Sequence, residues 1–144
     1  MNHHPLLGPV VGLLGWSVIM LLWMFVTRFP AMKAAGIDIR TRVGSKPGQL
    51  DGVLPPEVQW IAHNYNHLME QPTMFYAACL ALVAMGAETP IGLWSAWGYV
   101  GLRVLHSLEQ GTRNRIRIRF PLFFVASLCL IALVIMAIAA ALVS

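Results

Sequence analysis

Charge is what this sequence has least of. Six acidic and ten basic side chains make up 11% of its 144 residues, against 58% hydrophobic, where a soluble domain carries about 25% charged residues. So little polar surface excludes a wetted exterior, and with it a cytosolic enzyme, a disordered chain or a nucleic-acid-binding module. The formal charge of +4 does not change this, because where the basic residues sit matters more than their number. Cysteine is also scarce. Cys79 and Cys129 both fall in apolar runs, where a thiol behaves as a small hydrophobe. Their spacing leaves a disulfide open but suggests neither a metal site nor a redox pair. HExxH, GxSxG, Walker and Rossmann signatures are absent. No Lys or Arg precedes the first apolar run and no Ala-x-Ala site follows before Arg28, so that run reads as a retained helix rather than a cleaved signal.

What the chain has instead is long uncharged runs. Pro5 to Thr27 and Phe120 to Ser144 are free of charge over 23 and 25 residues. Either clears the roughly 20 residues that cross a bilayer core of about 30 Å. Gln71–Ala87 and Thr89–Leu102 reach that length only by extending through polar residues. The expectation is one all-α transmembrane domain over 1–144, a bundle of four helices at about 5–28, 58–86, 92–110 and 119–143. Arg28, Lys33, Arg40, Arg42 and Lys46 flank or occupy the first loop, and Arg113, Arg115, Arg117 and Arg119 fill or border the third. The N-terminal tail, second loop and C-terminus have no basic residue, so the positive-inside rule puts both termini on the non-cytoplasmic side. Trp60, Trp94 and Trp97 suit interfacial anchoring. Gly8, Gly12 and Gly15 form a small-residue face that suggests helix contact.

Ionisable groups inside membrane helices point to function or to a pairing partner. His63, Asn66, His67 and Glu70 share one face of the second helix, and Arg103, His106 and Gln110 share one face of the third. Neither stripe suits lipid, so both should face protein or a wet cleft. Counted from the short second loop at about 1.5 Å per residue, Glu70 lies roughly 24 Å deep, and Arg103 and His106 roughly 17 and 21 Å. Glu70 is therefore expected to pair with Arg103. Pro72 should bend the second helix beside this stripe. His63, His67 and His106 have too little acidic support for a metal site, and hydrogen bonding in the cleft is expected of them instead. Arg113 and Arg117 suit anionic lipid headgroups. Arg119, opening the last helix, would sit at the mouth of the cleft and hold an anion such as a thiolate or carboxylate.

Asn66-His-Leu-Met-Glu70-Gln-Pro72-Thr-Met-Phe75-Tyr76, with Arg103-Val-Leu-His106 and then Arg119, resembles the signature of the membrane-associated proteins in eicosanoid and glutathione metabolism, the MAPEG family. The resemblance covers about Val58–Phe124 and is to a divergent, bacterial-type member, which implies a bacterial inner membrane. It implies a homotrimer binding glutathione between subunits near the cytosolic side, with a hydrophobic small-molecule substrate arriving from the lipid. Glutathione transferase or peroxidase activity would follow. Arg119 would be the catalytic residue that stabilises the thiolate, and Glu70 would bind the amino group. His63, Asn66, His67, Arg103, His106, Gln110, Arg113 and Arg115 complete the implied cofactor site. Family members often carry arginines where this chain has His63 and Asn66, an Asn at His67 and a Tyr at Gln110. Those departures weaken the grip on glutathione's carboxylates and keep a second reading open, a non-enzymatic binding or accessory subunit of a larger membrane complex.

Overall fold

The computed structural model describes residues 4–38, 40, 41, 43, 44 and 48–143. Arg42 and Lys46, counted above in the first loop, and Ser144, ending the last run, lie outside the described residues. The helices are α1 (Leu7–Ala34), α2 (Pro56–Glu70), α3 (Pro72–Ala84), α4 (Pro90–Thr112) and α5 (Ile116–Val143). Gln71, the single residue between α2 and α3, keeps helical dihedrals (φ −59°, ψ −39°), so the two are arms of one rod and the chain makes four rods.

The interruption is the work of Pro72. Without an N–H it cannot donate to the carbonyl four residues back. The next turn tightens: Met74 N donates to the Gln71 carbonyl at 3.1 Å, and the Thr73 hydroxyl donates to the Glu70 carbonyl at 2.6 Å.

Three left-handed residues stop helices. At the end of α1, Gly36 (φ 69°) donates to the Lys33 carbonyl, while Ile37 donates to that of Met32. This is a Schellman stop, and it explains why α1 runs six residues past the expected end at 28. Pro30 lies inside the helix, yet the alanines and lysine after it sustain helix until Gly36. Gly86 (φ 63°) ends α3 in the same way, with bonds from Gly86 to Val83 and from Ala87 to Leu82. For α4 the stop is Asn114 (φ 54°), a side chain that tolerates this region. The third loop is consequently only three residues long. Gly111, expected to open that loop, is buried inside α4. At the other end of α4, Thr89 Oγ1 accepts from Gly92 N at 3.0 Å, an N-cap ahead of Pro90.

α1 packs on α2 and α4, while α5 packs on α4 and α3. The apolar core fills the half of the bundle near the α3–α4 turn. Leu6, Leu13, Phe75, Cys79, Ala96, Tyr99, Ala126 and Leu133 are all fully buried there. Phe75 and Tyr99 stack at 4.6 Å between ring centroids. The N-terminal tail is tied to this end: His4 Nδ1 lies 2.8 Å from Glu88 Oε2, and Leu6 N donates to Glu88 Oε1 at 3.1 Å. Both cysteines are free thiols.

Outward, α1 and α5 are long and apolar enough to cross a membrane, and only 22% and 17% of their apolar windows are buried inside the chain. Such surface suits lipid, not water.

The glycine face of α1 meets a ring. A Cβ at Gly8 or Gly12 would lie 3.4 or 3.5 Å from the Trp97 indole, whereas Gly15 has nothing within 4 Å. Trp97 thus packs along α1 while remaining half exposed, and Trp94 is more exposed still. Gly111 is tighter, since a Cβ there would come within 3.0 Å of Trp23. Gly111→Val should therefore lower stability by about 1–3 kcal/mol through overpacking, measured as the melting transition in detergent. An unchanged transition would show that Trp23 moves aside freely.

Candidate functional site

The polar half of the bundle is organised by α4. Tyr99, Arg103 and Ser107 recur every four residues and so point the same way. Each meets the second rod. The Tyr99 hydroxyl donates to Gln71 Oε1 at 3.3 Å, and Arg103 Nη2 donates to the His67 carbonyl at 3.0 Å. Ser107 and Asn64 share hydrogen bonds of 2.6 and 2.9 Å. Gln71 continues the line into α5 by donating to Ser127 Oγ at 2.8 Å. Asn64 and Ser107 are essentially inaccessible, so each group is satisfied by the other rather than by water.

The expected Glu70–Arg103 ion pair is not made. Gln71, not Glu70, is the residue of that turn that faces α4. Arg103 is 1% exposed, and its Nε and Nη1 have no hydrogen-bond partner. Glu70 lies on the outer edge, where its carboxylate accepts from or pairs with His67 Nδ1 at 3.0 Å.

Below this ladder is a cavity of about 300 Å³ lined by His67, His106, Ile116, Arg119, Phe120 and Phe123. Its size is at the lower end for small-molecule sites. Two imidazoles and a benzene ring form its inner wall. His67 stacks on Phe123 at 5.6 Å and 14°, and His106 is tilted against both rings. Arg119 comes from the first turn of α5, in register with Phe123 one turn on. It donates through Nη1 to Asn114 Oδ1, while its buried Nε has no partner. A guanidinium at the wall of a largely apolar cavity, with no carboxylate among the lining residues, suits a small anion.

Of the residues expected from sequence, His67, His106 and Arg119 come together at the cavity. Glu70 and Arg103 adjoin it through His67. The others do not line it. His63 is exposed, with Nε2 3.3 Å from Asp51 Oδ1. Asn66 is exposed as well, so much of the α2 stripe faces away from the bundle instead of into a cleft. Gln110 is buried in α4 with its Oε1 unpartnered. Arg113 is exposed. Arg115 grips Glu109 in a two-pronged pair, Nε–Oε1 at 2.7 Å and Nη2–Oε2 at 3.3 Å, and that hydrogen bonding holds the guanidinium above its ordinary pKa. Among the described residues no group of three His, Cys, Asp or Glu side chains is placed to hold a metal.

Asn64, Gln71, Tyr99, Ser127 and the aromatic wall were not singled out from sequence. The signal for two of them was present: Asn64 and Gln71 are seven residues apart, two turns of one face, opposite the Tyr99–Arg103–Ser107 repeat.

No curated protein and no solved structure matches the chain. The family model of the MAPEG family matches residues 6–139, a span that takes in the first three rods, all but the last turn of the fourth, the polar ladder and the cavity. The chain belongs to the MAPEG family and is an all-α, four-helix integral membrane protein.

Proposed function

We propose that this protein is a glutathione-dependent enzyme of the bilayer, joining glutathione to a hydrophobic electrophile or using it to reduce a lipid-soluble peroxide. The observation that carries the reading is Arg119, a guanidinium with an unpartnered Nε on a cavity walled by His67, His106 and Phe123. A fixed cation beside a thiol favours its ionised form, which is the nucleophile. Glutathione supplies that thiol when bound. Arg119 would hold the sulfur, His106 would offer a hydrogen bond beside it, and the exposed Glu70 carboxylate would hold the amino group. Phe120 and Phe123 keep water from the reacting atoms and present an apolar approach from the lipid side.

Membership of the family supports a homotrimer. The exposed His63, Asn66 and Glu70 on a membrane rod add a reason for a neighbouring subunit to cover that face. The charge pattern supports termini on the non-cytoplasmic side, with the cavity at the cytoplasmic end, and the bacterial-type resemblance supports an inner membrane.

A second reading, a non-enzymatic binding or accessory subunit, draws on the carboxylate anchors. His63 is engaged by Asp51 and Arg115 by Glu109, and Asn66 carries no charge. Calorimetric titration of glutathione into the detergent-purified protein separates the two. Saturable binding weakened by Arg119→Ala is the expected result. No binding at millimolar glutathione removes the enzyme reading and leaves the accessory one, with copurifying partners the next measurement.

A further inference from the structure

The four arginines around the α4–α5 turn divide into two pairs. Arg115 is held by Glu109 and Arg119 by Asn114. Arg113 and Arg117 are exposed, and their side chains make no hydrogen bond or ion pair among the described residues.

Direction separates the pairs further. At about 100° per residue, Arg117 lies on the same side of α5 as Phe124 and Leu128, all three within about 40°. Phe124 and Leu128 are 54% and 49% exposed, and Phe120, one turn above Phe124, is 66% exposed. No other described part of the chain covers this apolar face of α5, and such a face suits lipid. Height agrees with direction. The uncharged stretch from Phe120 onward fills the hydrocarbon core, and Arg117 stands three residues, roughly 4.5 Å, beyond it, at the level of lipid phosphates. Arg113 adds a second cation across the short turn, where the nearby acid, Glu109, is already gripped by Arg115.

We propose that Arg113 and Arg117 bind the phosphodiester headgroup of an anionic phospholipid whose acyl chains lie along Phe120, Phe124 and Leu128. The headgroup site lies outside the cavity, the acyl track meets the cavity only at Phe120, and the proposal does not rest on the glutathione reading. Charge complementarity with an apolar track directly beneath selects a lipid rather than a free phosphate.

The test is native mass spectrometry of the full chain in detergent, titrated with dioleoylphosphatidylglycerol or dioleoylphosphatidylcholine. The expected result is tighter binding of the anionic lipid. Arg117→Gln should reduce that affinity about fivefold, and the double change with Arg113→Gln roughly 25-fold, with phosphatidylcholine binding and the melting transition unchanged. Arg117→Lys, which keeps the charge, should retain most of the binding, and this variant carries the test if the double variant fails to fold. Equal binding of the anionic lipid by wild type and Arg117→Gln overturns the proposal. So does equal competition by glycerol 3-phosphate, which would make the ligand a free phosphate. A change in oligomer distribution without loss of lipid would also overturn it, because a second copy would then cover the face.

Discussion

On the proposed glutathione reading, Arg119→Ala is expected to lower the rate of glutathione conjugation by about two orders of magnitude. Removing a fixed donor beside developing or resident negative charge costs roughly 10²–10³ in turnover, and its place on the cavity wall puts the Arg119 guanidinium within reach of that role. The pH profile tells charge stabilisation from simple loss of shape. A cation beside a thiol lowers the thiol's pKa, so a thiol bound by the wild type should ionise below the ordinary value of about 8.5. In the variant, thiolate absorbance should appear only as pH rises toward that value, and the rate should recover in parallel. Asn114→Ala is the control, because it frees Nη1 without removing the cation. Its thiolate should persist, although the α4 stop is weakened by loss of a residue that tolerates positive φ. Thiolate absorbance at the same pH in wild type and Arg119→Ala would take Arg119 out of the chemistry.

Tyr99→Ala should be the most destabilising single substitution in the apolar half, by about 3–5 kcal/mol. Its ring is fully buried and stacked on Phe75, so alanine leaves a cavity bounded by α3, α4 and α5. The hydroxyl's bond to Gln71 is the smaller part. Tyr99→Phe keeps the stack and should cost about 1 kcal/mol, since hydrogen bonds between membrane helices average only about 0.6. Thermal unfolding in detergent measures both. Equal losses in the two variants would place the stability in the Gln71–Tyr99–Ser127 network instead of the ring stack.

The number of rods was legible because charge is excluded from lipid-spanning stretches, and the gaps between runs mark the loops directly. Family membership was legible from Asn66–Tyr76 and the Arg103, His106 and Arg119 spacing. The rod ends were harder. α1 outlasted its run because an arginine and a proline do not stop a helix as firmly as Gly36 does. The third loop shrank because Asn114, not Gly111, takes the left-handed conformation. Hardest was the partner of Arg103. Shared depth made Glu70 a sensible choice, but depth says nothing of azimuth, and a rotation of one residue along the rod brings Gln71 and the His67 carbonyl to α4 instead. Cavity walls built from Ile116, Phe120 and Phe123 carry no sequence signal, because the same residues also suit lipid.

α1 and α5 each run 28 residues, roughly 42 Å of helix, against a hydrocarbon slab of about 30 Å. Even the apolar stretch of α5 outreaches that slab, so the bundle must lean or the lipid around it must stretch. A lean of the whole bundle leaves the cavity unchanged, but a lean of α5 alone would carry Arg119 and Phe123 away from His67 and His106. Bilayer thickness, set by acyl-chain length, would in that case act on the geometry of the cavity.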